Sequence, residues 1–328
     1  MAAEYNVQAI MDDLRKIGDL NPDQHDGSYE LMNETIQAYS EMSDYSPLDY
    51  RDLNLVYLTT VGTWKQSISS KKKTIDDSHL SSQAKQRLKA LWDIIWQKAE
   101  MGEYTNNEPD ASGHRSIGMF GTGFFSFQNK TTAEHAQAFI SMCVDILPMT
   151  DDGDMFDRAE LVLKSSFQGM RAASASMVLH CLKPMTFPIM NSNMGNKNIF
   201  EVLGVDLIRK ENIDTYIENC RRIKSFRDQN FTIKNYRVFD QAAWKVNEYA
   251  VNSVSGVTSK VWLVTWNKDN WNWDGFAERC ESTKAGQTFI ESWACASKNP
   301  RIGDEVFMLK LGDMPRGIIG HEIGRAHV

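Results

Sequence analysis

The chain has 328 residues, enough for two domains that each bury a core, and its 42 % hydrophobic and 24 % charged residues belong to the ordinary soluble globular class. A formal charge of −7 argues against a protein that coats nucleic acid nonspecifically, because phosphate binding is driven by clustered Lys and Arg. Five scattered cysteines (Cys143, Cys181, Cys220, Cys280, Cys295) form no CxxC pair, so neither a zinc site nor a disulfide framework is indicated. With no export signal at the start and no apolar run of spanning length, the expected location is the cytoplasm, without a membrane partner.

Residues 1–250 predict a helical domain. Val7, Ile10, Met11, Leu14 and Ile17 recur at helix spacing and stop at Gly18. Lys71, Lys72 and Lys73 read as an exposed loop or a helix start. Leu88, Leu91, Trp92, Ile95 and Trp96 line one face of a helix opened by Ser81 or Ser82 and ended near Gly102. The segment from Thr105 to Gly113 reads as a surface loop. Gly118, Gly121 and Gly123 read as a tight turn, because no Gly-Lys-Ser or Gly-Lys-Thr follows to make a nucleotide-binding loop. A third helix starts at Thr131, with Glu134 in capping-box spacing, and buries Ala136, Phe139, Ile140, Cys143 and Val144 before Pro148. Thr150 to Asp154 reads as another surface loop.

His180 and Cys181 are neighbours on a helix and point in different directions, so they do not form a nucleophile and its base. The run from Phe187 to Asn191 is a little like the loop that follows the helix-hairpin-helix of DNA glycosylases. Its last residue cannot ionise, which counts against that enzyme reading. Arg221, Arg222, Lys224, Arg227, Lys234 and Arg237 fall within seventeen residues with only Asp228 opposing them, interleaved with Phe226, Phe231 and Tyr236. Two readings stand for this cluster: a surface that tracks a phosphate backbone, and a solvated face that offsets acidic neighbours. A composition shift at Asn247 to Lys260 marks the linker.

Beyond it the period changes from helix to strand. Trp262, Val264 and Trp266 alternate with Val261, Leu263 and Thr265, and a short helix over Asp274 to Cys280 follows. Glu305 to Leu311 is a second strand, preceded by the turn Gly303-Asp304, and a third starts at Arg316 to Gly320. This strand, helix, strand, strand order predicts a small mixed α/β barrel. Five of the nine tryptophans lie here. Flat amphipathic rings of this kind suit a pocket that clamps a nucleobase outside its helix.

Trp262 to Asn267, the Gly286 to Trp293 segment, the Gly303-Asp304 turn and Pro315 to Gly320 together resemble the front part of an EVE domain, a PUA-like barrel related to the YTH readers of methylated RNA. LVYLTTVGTWK, SIGMFGTGFFSF, ASASMVLHCLKPMTFPIMN and FRDQNFTIKNYRVFDQAAW resemble the segment that precedes such barrels in McrB-like proteins of type IV restriction systems, which cut DNA carrying modified cytosine. The resemblance implies an α+β chain, a mostly α-helical N-terminal domain followed by an incomplete PUA-like (EVE) mixed α/β barrel over residues 260–322. It also implies a flipped modified base held between Trp266 and Trp293, with Asn267 and Ser292 reading its edge. For both tryptophans a core role stands beside the cage role. Arg316 reads either as a phosphate contact or as a solvated surface arginine.

The tail at 323–328 is expected to be non-native. Back-translated as GAG ATC GGA AGA GCA CAC GTC, Glu322 to Val328 match the start of a common short-read sequencing adapter. The expected function is the DNA-recognition part of a modification-dependent restriction system, with no cofactor in this fragment. The resemblance implies GTP or ATP with magnesium in a motor domain lying beyond it, a separate nuclease subunit as partner, and an oligomer formed through that motor. Two other classes stay open, a helical glycosylase-like enzyme and a non-catalytic scaffolding or RNA-binding module.

Overall fold

The computed structural model describes residues 5–21, 27–60, 68–104, 113, 115, 117, 126–164, 167–190, 199–208, 213–249, 261–267, 273, 275–284, 305–312 and 317–323. The chain divides into two compact units, Met1–Val251 and Asn252–Val328. The fold is α+β and mostly helical. Among the described residues no helix is long and apolar enough to cross a membrane.

The first unit carries α1 (Val7–Ile17), α2 (Ser28–Ser40), α3 (Tyr50–Leu58), α4 (Ile68–Asp77), α5 (Ser82–Glu100), α6 (Ala133–Ile146), α7 (Asp152–Leu163), α8 (Ala172–Leu182), α9 (Ile199–Val202), α10 (Tyr216–Asn230) and α11 (Arg237–Trp244). Each helix predicted from apolar spacing is present. The first ends at Gly18, whose φ of 70° is a left-handed conformation that glycine adopts without Cβ strain. In α5 the Ser81 hydroxyl accepts from the Ala84 amide at 3.2 Å, a cap worth about 1 kcal/mol. Leu88, Trp92, Ile95 and Ala99 form its buried stripe. Where α2 begins, a Cβ on Gly27 would fall 2.1 Å from Ile95 Cγ2, so the absence of a side chain is what lets α2 approach α5.

Two boundaries differ from expectation. Thr132, not Thr131, caps α6, accepting from the His135 amide at 3.2 Å; either threonine precedes the apolar run, and only the backbone geometry selects between them. The segment read as a loop at Thr150 to Asp154 instead starts α7. Asp151 caps it through the Asp154 amide at 3.0 Å, and Asp152 and Asp154 fill the first turn, where the helix dipole favours carboxylates.

Two apolar clusters hold this unit. The larger joins α2, α3 and α5 to α8 around Tyr29, Leu53, Trp92, Phe139, Phe156 and Leu179. In the smaller, Ile10 and Leu14 of α1 meet Phe200, Phe231, Val238 and Phe239. Segments near the two ends of this unit therefore share a core. The Asn6 amide donates to the Tyr249 carbonyl at 2.7 Å, and the Tyr249 hydroxyl donates to Asp13 at 2.8 Å. Val246–Tyr249 is a 3-10 turn, so the first residues of the expected linker belong to the helical unit. Residues 250–260 lie outside the described ones.

The second unit carries β1 (Val261–Asn267), α12 (Phe276–Lys284), β2 (Glu305–Leu311) and β3 (Gly317–Ile323), the order predicted from the sequence. Among the described residues the strands form one sheet of order β1-β2-β3, in which β1 and β2 are parallel, with Val264 opposite Met308 and Trp266 opposite Lys310. β2 and β3 are antiparallel, with a bulge at Met308/Leu309. Ile323 pairs with Glu305, so the expected boundary of the tail falls inside a paired strand, and residues 324–328 lie outside the described ones.

Candidate nucleic-acid interface

Alternation along β1 sorts its side chains. Leu263 is 57 % exposed and Thr265 is exposed, whereas Trp262 and Val264 are half-buried and Trp266 is only 4 % exposed. A three-ring cluster closes over Trp266. Its ring centroid lies 5.6 Å from Trp273, nearly perpendicular, and 5.0 Å from Phe276 of α12; Trp273 and Phe276 are 5.2 Å apart. These are favourable aromatic geometries that bury area on several sides of one ring. Trp266 is thus the floor of the cluster and has no face left for a base to stack on, which corrects its expected role as a cage wall. Trp273 and Phe276 are half-buried and keep surface in contact with solvent. Asn267, the last residue of β1, is half-buried, and the Arg279 guanidinium lies 5.9 Å from the Trp273 ring. Phe276 and Arg279 were missed from sequence; their i, i+3 spacing directly after Trp273 was the available signal. Ser292, Trp293 and Arg316 lie outside the described residues.

The cationic cluster is neutralised by the fold. Arg221 donates to Asp157 and Glu160 of α7, each at 2.8 Å. Arg222 pairs with Glu218 at 3.0 Å and with Asp206 at 3.5 Å. Lys224 reaches Asp228, and Asp152 at 3.4 Å. Lys234 pairs with Asp228 at 2.9 Å and Arg237 with Asp240 at 3.1 Å. Burial works to raise the Asp228 carboxyl, but Lys224, Lys234 and Arg227 overcome it and hold the group well below the usual carboxylate range. Six cations therefore face seven carboxylates, those of Asp152, Asp157, Glu160, Asp206, Glu218, Asp228 and Asp240.

Arg227 and Arg237 are 2 % and 5 % exposed and cannot serve as phosphate contacts in this fold. Arg227 donates to the carbonyls of Met185 and Lys234 and lies 4.5 Å from the Tyr236 ring. It is a structural hub of the helical unit. Of the two readings of the cluster, the offset of acidic neighbours is the one the geometry realises. Most of those neighbours come from α7 and from Asp206, which only the tertiary fold brings to α10.

Two polar groups elsewhere in the helical unit have chemistry of interest, and both are engaged. His180 donates from Nδ1 to the Phe187 carbonyl at 2.9 Å, so Nε2 accepts from the Tyr29 hydroxyl at 3.0 Å. Burial holds the imidazole neutral, with its pKa lowered to about 3. As expected, it does not pair with Cys181. Asn191, the last residue of the glycosylase-like run, lies outside the described residues. Asp49, Asp52 and His79 bring one ligand atom each within 4.8 Å, as a candidate metal centre would. The Arg51 guanidinium already spans Asp49 at 2.9 Å and His79 Nε2 at 2.8 Å. A guanidinium only donates, so Nε2 accepts and Nδ1 donates to Asp52 at 2.6 Å. The positions a cation would take are thus filled by arginine.

Compared with protein-family models, curated proteins and solved structures, the chain matches none of them.

Proposed function

We propose that the chain is the DNA-recognition part of a modification-dependent restriction system and reads a flipped modified cytosine with its second unit, a PUA-like barrel of the EVE kind. The observation that carries this reading is the ring cluster at the carboxyl end of β1. Trp273 and Phe276 offer the stacking surface, Trp266 supports them from below, and Asn267 stands at the strand end with an amide that both donates and accepts. Arg279 adds a positive charge beside the Trp273 ring. Stacking of one base is worth about 1–3 kcal/mol, and a buried methyl adds about 0.8 kcal/mol, so selectivity for a modified base also needs the pocket to exclude other shapes.

On this reading the helical unit is a carrier, not a phosphate track, because the α10 cations are already paired. The motor using GTP or ATP with magnesium, the nuclease subunit and any oligomer formed through the motor belong to other parts of the same cytoplasmic system. The test is fluorescence anisotropy at fixed salt on matched duplexes carrying cytosine, 5-methylcytosine or 5-hydroxymethylcytosine. The expected result is tighter binding of one modified duplex, weakened about tenfold or more in Trp273→Ala and losing selectivity in Asn267→Ala. Equal or absent binding across the series would remove the base-reading assignment.

A further inference from the structure

One side of α5 stays outside the core. Leu91, Ile94, Lys98 and Met101 fall on it at i, i+3, i+7 and i+10 spacing, next to the buried stripe of Leu88, Trp92, Ile95 and Ala99. Ile94 is 50 % and Met101 69 % exposed, and Leu91 is half-buried. Leu91 and Lys98 also line an open groove of about 690 Å³, together with Glu30, Asn33, Glu34 and Gln37 on one face of α2 and Leu147 after α6. The α2 face presents acceptors. Asn33 and Gln37 direct their amide N–H groups to the Tyr29 carbonyl and the Ser40 hydroxyl, which leaves both amide oxygens without a donor among the described residues. Between them stand the carboxylates of Glu30 and Glu34. Lys98 reaches Glu30 at 3.1 Å, but both side chains are partly exposed, so this pair exchanges partners at little cost.

We propose that this face is the interface of a homodimer, in which the exposed α5 stripe of each copy lies in the α2–α5 groove of the other about a two-fold axis. The occupant follows from what the groove lacks and the stripe holds. The groove needs apolar side chains to cover Leu91 and Leu147 and a cation to meet the α2 acceptors. Ile94 and Met101 supply the first and Lys98 the second. The spacing of the stripe reads the same in both directions, so two antiparallel α5 helices meet in register. Leu91 then faces Met101 of the partner subunit, and Ile94 faces the aliphatic stem of Lys98 of the partner subunit. Because the stripe borders the groove that it fills, each copy offers both halves of the contact, as a two-fold interface requires. One helix pair makes a small interface, so association in the micromolar range is expected.

The experiment is sedimentation equilibrium of the intact chain across micromolar concentrations, where the mass should rise from that of one chain towards that of two. Ile94→Glu and Lys98→Glu should each weaken association about tenfold or more, the first by placing a charge in the apolar contact and the second by setting a carboxylate against the α2 acceptors. Their urea midpoints, taken at a concentration where the parent chain is monomeric, should match the parent's, which separates a lost interface from a lost fold. Leu161→Glu is the control, since Leu161 is more exposed than Ile94 but lies on α7, and the dimer should survive it. A chain that stays monomeric, whether or not its groove takes a basic amphipathic peptide, overturns the proposal. So does a dimer that Ile94→Glu leaves intact or that Leu161→Glu weakens equally.

Discussion

In the helical unit, several buried polar groups find partners in distant segments, whereas the described rings of the second unit lie close together in sequence. Tyr29 meets His180, Tyr39 and His79 meet Asp52, and Arg227 reaches Met185 and Lys234. In the second unit, Trp266, Trp273 and Phe276 lie within eleven residues, and the opposite sheet face leaves Leu263 57 % and Leu311 36 % exposed. A unit whose α10 charges are paired internally is suited to carry. One that keeps half-buried rings and strand-end amides at its surface is suited to bind.

That contrast is sharpened most by removing the floor of the ring cluster. Trp266→Ala should cost the second unit about 4 kcal/mol, because it leaves a large cavity beneath Trp273 and Phe276. Hydrogen exchange resolved by segment should show protection lost in β1 and β2 and unchanged in α5 and α6; protection retained in β1 would mean that Trp266 is not core.

Acid should act on the helical unit through His180. Its folded pKa, about 3, is below the ordinary 6.5, so between these values the unfolded chain binds the extra proton and stability falls as pH falls. From pH 7 to 4 this contributes about 3 kcal/mol of lost stability. Urea unfolding at both pH values should show that part of the loss missing from His180→Leu; an identical loss in both chains would count against the buried neutral imidazole.

A smaller effect is expected at Asp52, which is fully buried and caps α3 while accepting from Tyr39 and His79. Asp52→Asn turns one acceptor into a donor facing the donors of Asp49 and His79 and should cost about 2 kcal/mol, read from the urea midpoint at pH 7. The smallest change belongs to the α10 charges. Arg222→Gln and Lys224→Gln should alter stability by no more than about 0.5 kcal/mol and leave the salt dependence of DNA binding unchanged, whereas each lost phosphate contact would reduce that slope by about 0.9.

Much of the helical architecture was legible because helix periodicity and caps are local. Val7 to Ile17, Leu88 to Trp96 and the run closed by Pro148 announce their elements within a few turns. The strand order after residue 260 was legible for the same reason, since alternation and turn residues act over a few positions. The candidate site was legible only in part. Asn267 stands at the strand end as read, but burial of Trp266 depends on how α12 lies over β1, and Phe276 and Arg279 enter the cluster only through that packing.

Charge was the property least readable from the linear chain. Between residues 221 and 237 only Asp228 opposes six cations, and the carboxylates of Asp157 and Glu160 arrive from a helix about sixty residues earlier. Lys71 and Lys72 likewise look alike in sequence, and only the fold buries one and pairs the other. The sequence by itself determined which segments are helix or strand, since backbone preference and apolar spacing are set by near neighbours. Tertiary structure decided which charges are free and which rings are open, because Coulomb pairing and desolvation depend on distances that only the folded chain defines.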